Sequence, residues 1–329
     1  MGPMDLSQEN LPPIRNYEAG DETPWLALIR ACPDFDEHFF NRSPSLDALR
    51  VVVEHPHMDP GRSLFFADSG SGFAGYAEVW CAEGQARAVG RVLVHPHWRR
   101  RGLGSALLKR TEARARAVGS EYLDVLIAES HTGGRHFLED HGFAAVHYCW
   151  LMRLPRLDTI PAPQWPPGYG LRTFVPGKDE PATVELENAS FTDEWEYTPV
   201  HVGEFEAFVR SPSFRPDGVI FAVYNGELVG ECWSSIDDER IAASGERQGD
   251  VWSLCVHPEH RGRGLGRALL LAGLQWLRQQ GMISALGGVD GANERGQHLY
   301  TSIGCEVLRT DIWCRKQLAD PANLPPPLA

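Results

Sequence analysis

Apolar and polar positions along the chain form short β-type runs and longer helix-type stretches, and the whole series comes round twice. Strand patterns at 14–17, 64–67, 75–80, 91–94, 122–127 and 145–153 surround a helical period at 105–117. The same order returns at 171–174, 219–224, 231–234, 251–256, 283–289 and 307–316 around a helix at 267–280, with a further helix at 180–190. Gly119 and Gly281 stand just past the two long helices, where a left-handed residue closes a helix, and Asn225-Gly226 marks a type I′ hairpin turn. This order predicts an α/β class of the α+β type, with a mixed sheet in each of two tandem domains.

The repeat is sharpest where a strand gives way to a helix. His95-Pro96-His97-Trp98-Arg99-Arg100-Arg101-Gly102-Leu103-Gly104-Ser105 recurs as His257-Pro258-Glu259-His260-Arg261-Gly262-Arg263-Gly264-Leu265-Gly266-Arg267, an offset of 257 − 95 = 162. That offset holds without a gap from Val94/Val256 through Gly119/Gly281 to Gly142/Gly304, which implies duplicated structure. The expected domains are 12–154 and 170–318, joined by an extended proline-rich tether at 155–169, with a disordered tail at 319–329.

Strand, glycine turn and helix N-terminus together make an anion site. Gly102, Gly104, Gly264 and Gly266 lack a Cβ, so they can take positive φ and let backbone N–H groups approach a phosphate, aided by the helix dipole. The spacing is neither a Walker A loop nor the dinucleotide GxGxxG. An arginine, two residues and Gly-x-Gly after a strand ending in Val-His-Pro resembles the acetyl-CoA loop of the GCN5-related N-acetyltransferases, the GNAT family. The resemblance covers nearly the whole chain outside its termini and linker. It implies that Arg261, Gly262, Arg263, Gly264, Leu265, Gly266 and Arg267 hold the CoA pyrophosphate, as do Arg99, Arg100, Arg101, Gly102, Leu103, Gly104 and Ser105 in the first copy. It also implies that Leu254, Cys255 and Val256, with Val92, Leu93 and Val94, present backbone groups to the pantetheine arm.

By the same resemblance the halves are unequal. Family members often carry a tyrosine four residues before the glycine of a Gly-Phe-like pair, which protonates the departing sulfur, and an asparagine seven residues earlier that contacts the cofactor. Tyr300, Gly304 and Asn293 fill those places in the second half, whereas the first half has Leu138 and His131. Tyr300 equally reads as a core aromatic on a short helix. The family's glutamate base falls at Asp250, which strict alternation puts on one face with residues 252, 254 and 256, although Gly249-Asp250 also reads as a solvated turn. Glu231, on the preceding strand, is the competing base. Acceptor choice in the family comes from the connection after the first helix. Glu194, Trp195, Glu196 and Tyr197 there suit a cationic amine, or else form a solvated acidic loop. The resulting expectation is an acetyl-CoA-dependent N-acetyltransferase working in the second half by direct attack in a ternary complex, with the first half catalytically degenerate. The alternative is a non-catalytic acyl-CoA-binding or regulatory protein.

Composition narrows this further. The 329 residues have 43% hydrophobic and 23% charged side chains, with no apolar run of membrane-spanning length and no signal-peptide core at the N-terminus, so a cytoplasmic globular protein is expected. A net charge of −13 argues against nucleic acid as a partner and tolerates an amine-bearing substrate. Seven cysteines without a CxxC suggest neither a disulfide framework nor a metal site. Duplication leaves two assemblies open, a monomer with pseudo-dimeric domains or a homodimer.

Overall fold

The computed structural model describes residues 11–32, 45–55, 57–81, 85–210 and 214–318. The tail expected at 319–329 lies outside them. Two compact units emerge, one comprising the described residues up to His147 together with those from Ile312 onward, the other Tyr148–Asp311.

In the first unit, β1 (Ile14–Asn16), α1 (Glu22–Arg30), α2 (Leu46–Glu54) and α3 (Pro60–Ser63) precede the hairpin β2 (Leu64–Asp68) and β3 (Phe73–Trp80). Next come β4 (Arg87–Val94), α4 (Leu103–Ala117), β5 (Tyr122–Ala128) and α5 (Thr132–Asp140). The sheet order is β1-β2-β3-β4-β5, closed beyond β5 by the end of the chain's last strand, β12 (Glu306–Gln317). Antiparallel pairs join β1 to β4, whereas β4 and β5 run parallel with α4 as their crossover.

The second unit begins with part of β6 (Ala144–Leu154), whose residues Cys149–Leu154 pair antiparallel with β11 (Ser284–Asp290). Its other elements are β7 (Gly170–Thr173), α6 (Glu180–Ser190), α7 (Val202–Val209), β8 (Val219–Tyr224), β9 (Glu227–Ile236), α8 (Asp238–Ser244), β10 (Gln248–Val256), α9 (Leu265–Gln279) and α10 (Glu294–Ser302). The order is β6-β11-β10-β9-β8-β7, with β10 and β11 parallel across α9. Leu265, Leu269, Leu270 and Leu277 of α9 pack on Cys232, Val251 and Ala285, because its apolar residues recur at helical spacing on the face toward the sheet.

Both mixed sheets and both glycine helix ends match the sequence pattern: Gly119 and Gly281 sit at φ 86° and 84°. The units, however, divide at His147/Tyr148 and at Ile312, where the sequence reading drew 12–154 and 170–318. Both boundaries fall inside the last strand of a half, Ala144–Leu154 and Glu306–Gln317. The segment 155–169 is not a free tether either. Leu157 is 1% exposed in the second core and its N–H bonds the Ile283 carbonyl, while Trp165 and Tyr169 pack against the same cluster. Pro-rich composition excluded regular structure there but not burial. Among the described residues no helix is long and apolar enough to cross a membrane.

Candidate active site

The parallel strands β10 and β11 pair only from Gln248↔Ser284 to Val251↔Gly287 and then part. At the same point β10 carries a bulge: Val251 opposes Ser234 and Ser253 opposes Trp233, leaving Trp252 without a partner residue on β9. The splay opens a cleft of about 760 Å³, lined by Ser253 to Val256 on one side and Gly288 to Asp290 on the other, with the glycine loop and the start of α10 at its mouth. A bulge inserts one residue and inverts the alternation of faces. Val251, Leu254 and Val256 therefore join one core cluster, while Asp250, Ser253 and Cys255 fall on the opposite face. The shared face expected for residues 250, 252, 254 and 256 is not formed. Asp250 does not line the cleft; its carboxylate is 2.7 Å from the Arg240 guanidinium.

The glycine loop has the geometry that anion binding requires. Gly262 and Gly264 sit at φ 75° and 87°, and Gly264 caps the 15-residue helix α9 with no side-chain hydrogen bond, so the first-turn N–H groups remain available. A Cβ built on Gly264 would meet nothing within 4 Å, which leaves the approach to those N–H groups open. This cradle fits a diphosphate. Gly104 and Gly266 depart from expectation, since both lie within helices. There they allow close packing, Gly104 against Phe137 and Gly266 against Leu299.

The loop arginines are largely engaged by protein groups. Arg261 donates through Nε to the Val256 carbonyl at 3.1 Å and through its terminal nitrogens to the Ser190 carbonyl and Asp193. Arg263 bonds the Tyr169 hydroxyl and Arg267 the Ser302 hydroxyl. The first copy repeats the backbone geometry with Gly102 at φ 86° and Arg100, where the second copy has Gly262, at φ 60°. Arg99 bonds the Val94 carbonyl at 3.0 Å, Arg101 lies over Trp98, Ser105 bonds His141, and Leu103 is buried.

Tyr300 and Asn293 both reach the cleft. Tyr300 is 7% exposed, its ring against Gly287, where an added Cβ would stand 2.7 Å from Cε1. Burial, then the neighbouring Cys232 and Cys305, raises its pKa above the usual phenol value. Asn293 caps α10, accepting from the Gly296 N–H at 2.8 Å and donating to Glu194 at 2.9 Å. His131 makes the same cap at the start of α5, accepting from Gly134. Glu194 lines the cleft and is raised above the usual carboxyl value by burial. Trp195 and Glu196 are not among its lining residues, and the Tyr197 hydroxyl donates to Asn188.

Glu231 is fully buried on β9 and accepts a hydrogen bond from Ser253, a cleft residue, at 3.0 Å. The carboxyl of Glu187, on the helix α6 that packs on β9, lies against it, and the sequence reading did not single that residue out. Burial, then the like charge of Glu187, pushes Glu231 well above the carboxylate range, and burial likewise raises Glu187.

The first unit has core in place of Glu231, Glu187 and Tyr300. In the ladders Glu231 opposes Cys255, and Tyr76 opposes Leu93 at the matching step. Bidentate pairs Arg15–Asp21 and Arg172–Asp179 align α1 with α6, which puts Ile29 at the place of Glu187. Ile29 and Tyr76 belong to one apolar cluster with Trp25 and Phe66. At the 162-residue offset, Gly287 and Tyr300 become Val125 and Leu138, which share another.

Known proteins resemble both halves of the chain. Residues 181–305 match the acetyltransferase (GNAT) family and residues 60–145 an acetyltransferase (GNAT) domain. The chain is 33% identical over 297 residues to a mycothiol acetyltransferase of Thermobispora bispora, covering 90% of this chain and 96% of that one. A mycothiol acetyltransferase of Streptomyces coelicolor is 30% identical over 274 residues, covering 82% and 84%. Among solved structures, a GCN5-related N-acetyltransferase from Sphaerobacter thermophilus superposes with a TM-score of 0.70 at 27% identity, covering 94% and 98%. A tandem GNAT protein from the clavulanic acid biosynthesis pathway gives 0.71 at 21% identity, covering 94% and 99%, a likeness of fold.

Proposed function

Because the chain belongs to the GNAT family of acetyltransferases and is an acetyl-CoA-dependent N-acetyltransferase, we propose that its second unit acetylates the primary amine of a mycothiol-type small molecule. The observation that carries the choice of unit is the cleft between β10 and β11, which gathers a left-handed glycine loop, Asn293 and Tyr300, with Ser253 in its wall bonding the buried carboxyl of Glu231 behind it. The name borne by the relatives supports the acceptor class.

Acetyl-CoA supplies an acetyl group activated on sulfur. The N–H groups from Gly262 to Arg267 hold its diphosphate, and the backbone of Leu254 to Val256 orients the thioester arm along the parted strand. Glu231 takes the proton of the acceptor ammonium, directly or through water. Tyr300 keeps a proton on its hydroxyl for the sulfur, and the burial that raises the phenol also makes a desolvated thiolate more basic. Asp193, which holds Arg261 and Arg295, and Glu194, which holds Asn293, fix the acceptor-side loop against the donor loop. Every residue in this scheme lies in Tyr148–Asp311, so one copy of the chain suffices. The first unit, with Leu138, Val125, Tyr76 and Ile29 in place of the reacting groups, is a non-catalytic partner. The reaction takes place in the cytoplasm, where acetyl-CoA is made and consumed.

Thiol release from acetyl-CoA, followed with mycothiol-type amines, tests the scheme. Tyr300→Phe is expected to lower kcat roughly 100-fold while the calorimetric Kd for acetyl-CoA stays at the parent value. Parental kcat in this variant removes Tyr300 from its role, and a parent that turns over other amines but none of this class refutes the acceptor assignment.

A further inference from the structure

Glu187 stands outside the scheme above, yet it is the residue that Glu231 meets. Three observations converge on it. Oε1 of Glu231 is bonded by Ser253, while Oε2 is buried with no protein donor among the described residues. Helix α6 packs on β9 and brings the Glu187 carboxyl against that side chain, and two buried carboxyls at such reach hold a proton between them rather than both ionise. The pair also sits behind Ser253 and Cys255, on the face of β10 that the Trp252 bulge turns away from α9, beside the cleft wall formed by Ser190.

We propose that Glu187 is a positioning residue for acetyl transfer, sharing one proton with Glu231 across a carboxyl–carboxyl hydrogen bond, so that the pair as a unit accepts the proton of the acceptor ammonium. The inference rests on Glu231 as the base. The doubly ionised pair takes one proton from R–NH3+, leaving R–NH2 and a singly ionised pair with that proton held between the two carboxyls. The nitrogen then bonds the acetyl carbon as the carbon–sulfur bond breaks. The second N–H proton balances the one delivered to sulfur, and the pair returns its proton to solvent.

The surroundings leave the pair to set its own charge. Tyr197 from the α6–α7 connection, Cys255 from β10 and Cys232 on β9 face it; burial raises all three, so they stay neutral near pH 7. Asp250, further along the same face, is held by Arg240. No cation bears on either carboxyl among the described residues. A like charge beside a desolvated carboxyl raises the pKa at which the second proton leaves, which brings a carboxyl base toward working pH. In the first unit Tyr76 and Ile29 occupy both places and no such pair exists.

The test is the pH profile of kcat/KM for the parent, Glu187→Gln, Glu187→Asp and Glu231→Gln. The parent's acid limb should lie above the ordinary glutamate value of about 4.3. In Glu187→Gln a neutral amide replaces the like charge, so Glu231 ionises more easily and the limb moves down by about one pH unit or more. The shorter, still ionisable Glu187→Asp is expected in between, and it serves alone if Glu187→Gln does not fold. A limb unmoved in both Glu187 variants, with Glu231→Gln inactive, overturns the shared proton and leaves the base in place. Parental turnover in Glu231→Gln overturns the base reading underneath it.

Discussion

Asp179 carries the start of the second unit on one carboxylate. It accepts both terminal nitrogens of Arg172 and the Val175 N–H, and it is 2% exposed. Burial alone would raise its pKa, but the Arg172 hydrogen bonds and then the Val175 N–H outweigh it, and the net shift is downward. A lowered folded pKa means stability that is complete above the unfolded value near 4 and is lost as pH falls through the folded one. Asp179→Asn should therefore cost about 1–3 kcal/mol in urea denaturation at pH 7 and less as the pH is lowered below 4. An equal cost at both ends would show that the charge is irrelevant. Tyr300 and Asn293 were legible as residues because their types and spacing resemble a family pattern, whereas that pattern put the base at Asp250 and left Glu231 as its competitor on the preceding strand. Glu187 was not legible. Within the helix segment Glu185-Leu186-Glu187-Asn188 it reads as one more solvated acid, and only the packing of α6 on β9 brings it to Glu231.

Elements were legible where local chemistry fixes them. The glycine loops, the Asn225-Gly226 turn and both long helices stand where their sequences put them, with Asn225 and Gly226 at φ 51° and 90°. The bulge at Trp252 was not legible, since register belongs to a pair of strands and not to one sequence. That one residue moved Asp250 off the expected face. Helices α7 and α8 were also passed over, although Asp237 caps α8 by accepting from the Arg240 N–H, a start signal visible in Asp237-Asp238-Glu239-Arg240. The last ladder step of β10 and β11 explains the glycine at 287, whose missing Cβ lets the Tyr300 ring lie on the strand. Gly287→Ala should displace that ring and lower kcat roughly 10- to 100-fold, with a stability loss of about 1–3 kcal/mol from overpacking. Unchanged kcat in a folded variant would separate Tyr300 from the chemistry.

At the scale of the molecule, duplication was plain in the sequence and the unit boundaries inside the last strands were not. An apolar run such as 145–153 says that a strand exists and nothing about which sheet receives it. In the structure Ile312 and Cys314 fill the core of the first unit, and Arg315 meets Asp124, a fully buried carboxylate that Arg87 also holds. Among the described residues the duplicated chain keeps two loops of one geometry, and the proposed reacting groups gather beside the second. The most direct test compares kcat/KM for thiol release in Gly264→Val and Gly102→Val, each checked for folding by circular dichroism. A β-branched residue at φ near 87° is strained by about 1–3 kcal/mol and crowds the N–H cradle. Loss of turnover in Gly264→Val, with Gly102→Val at the parent rate, is the predicted result; loss in Gly102→Val with Gly264→Val unaffected would contradict the assignment of chemistry to the second unit.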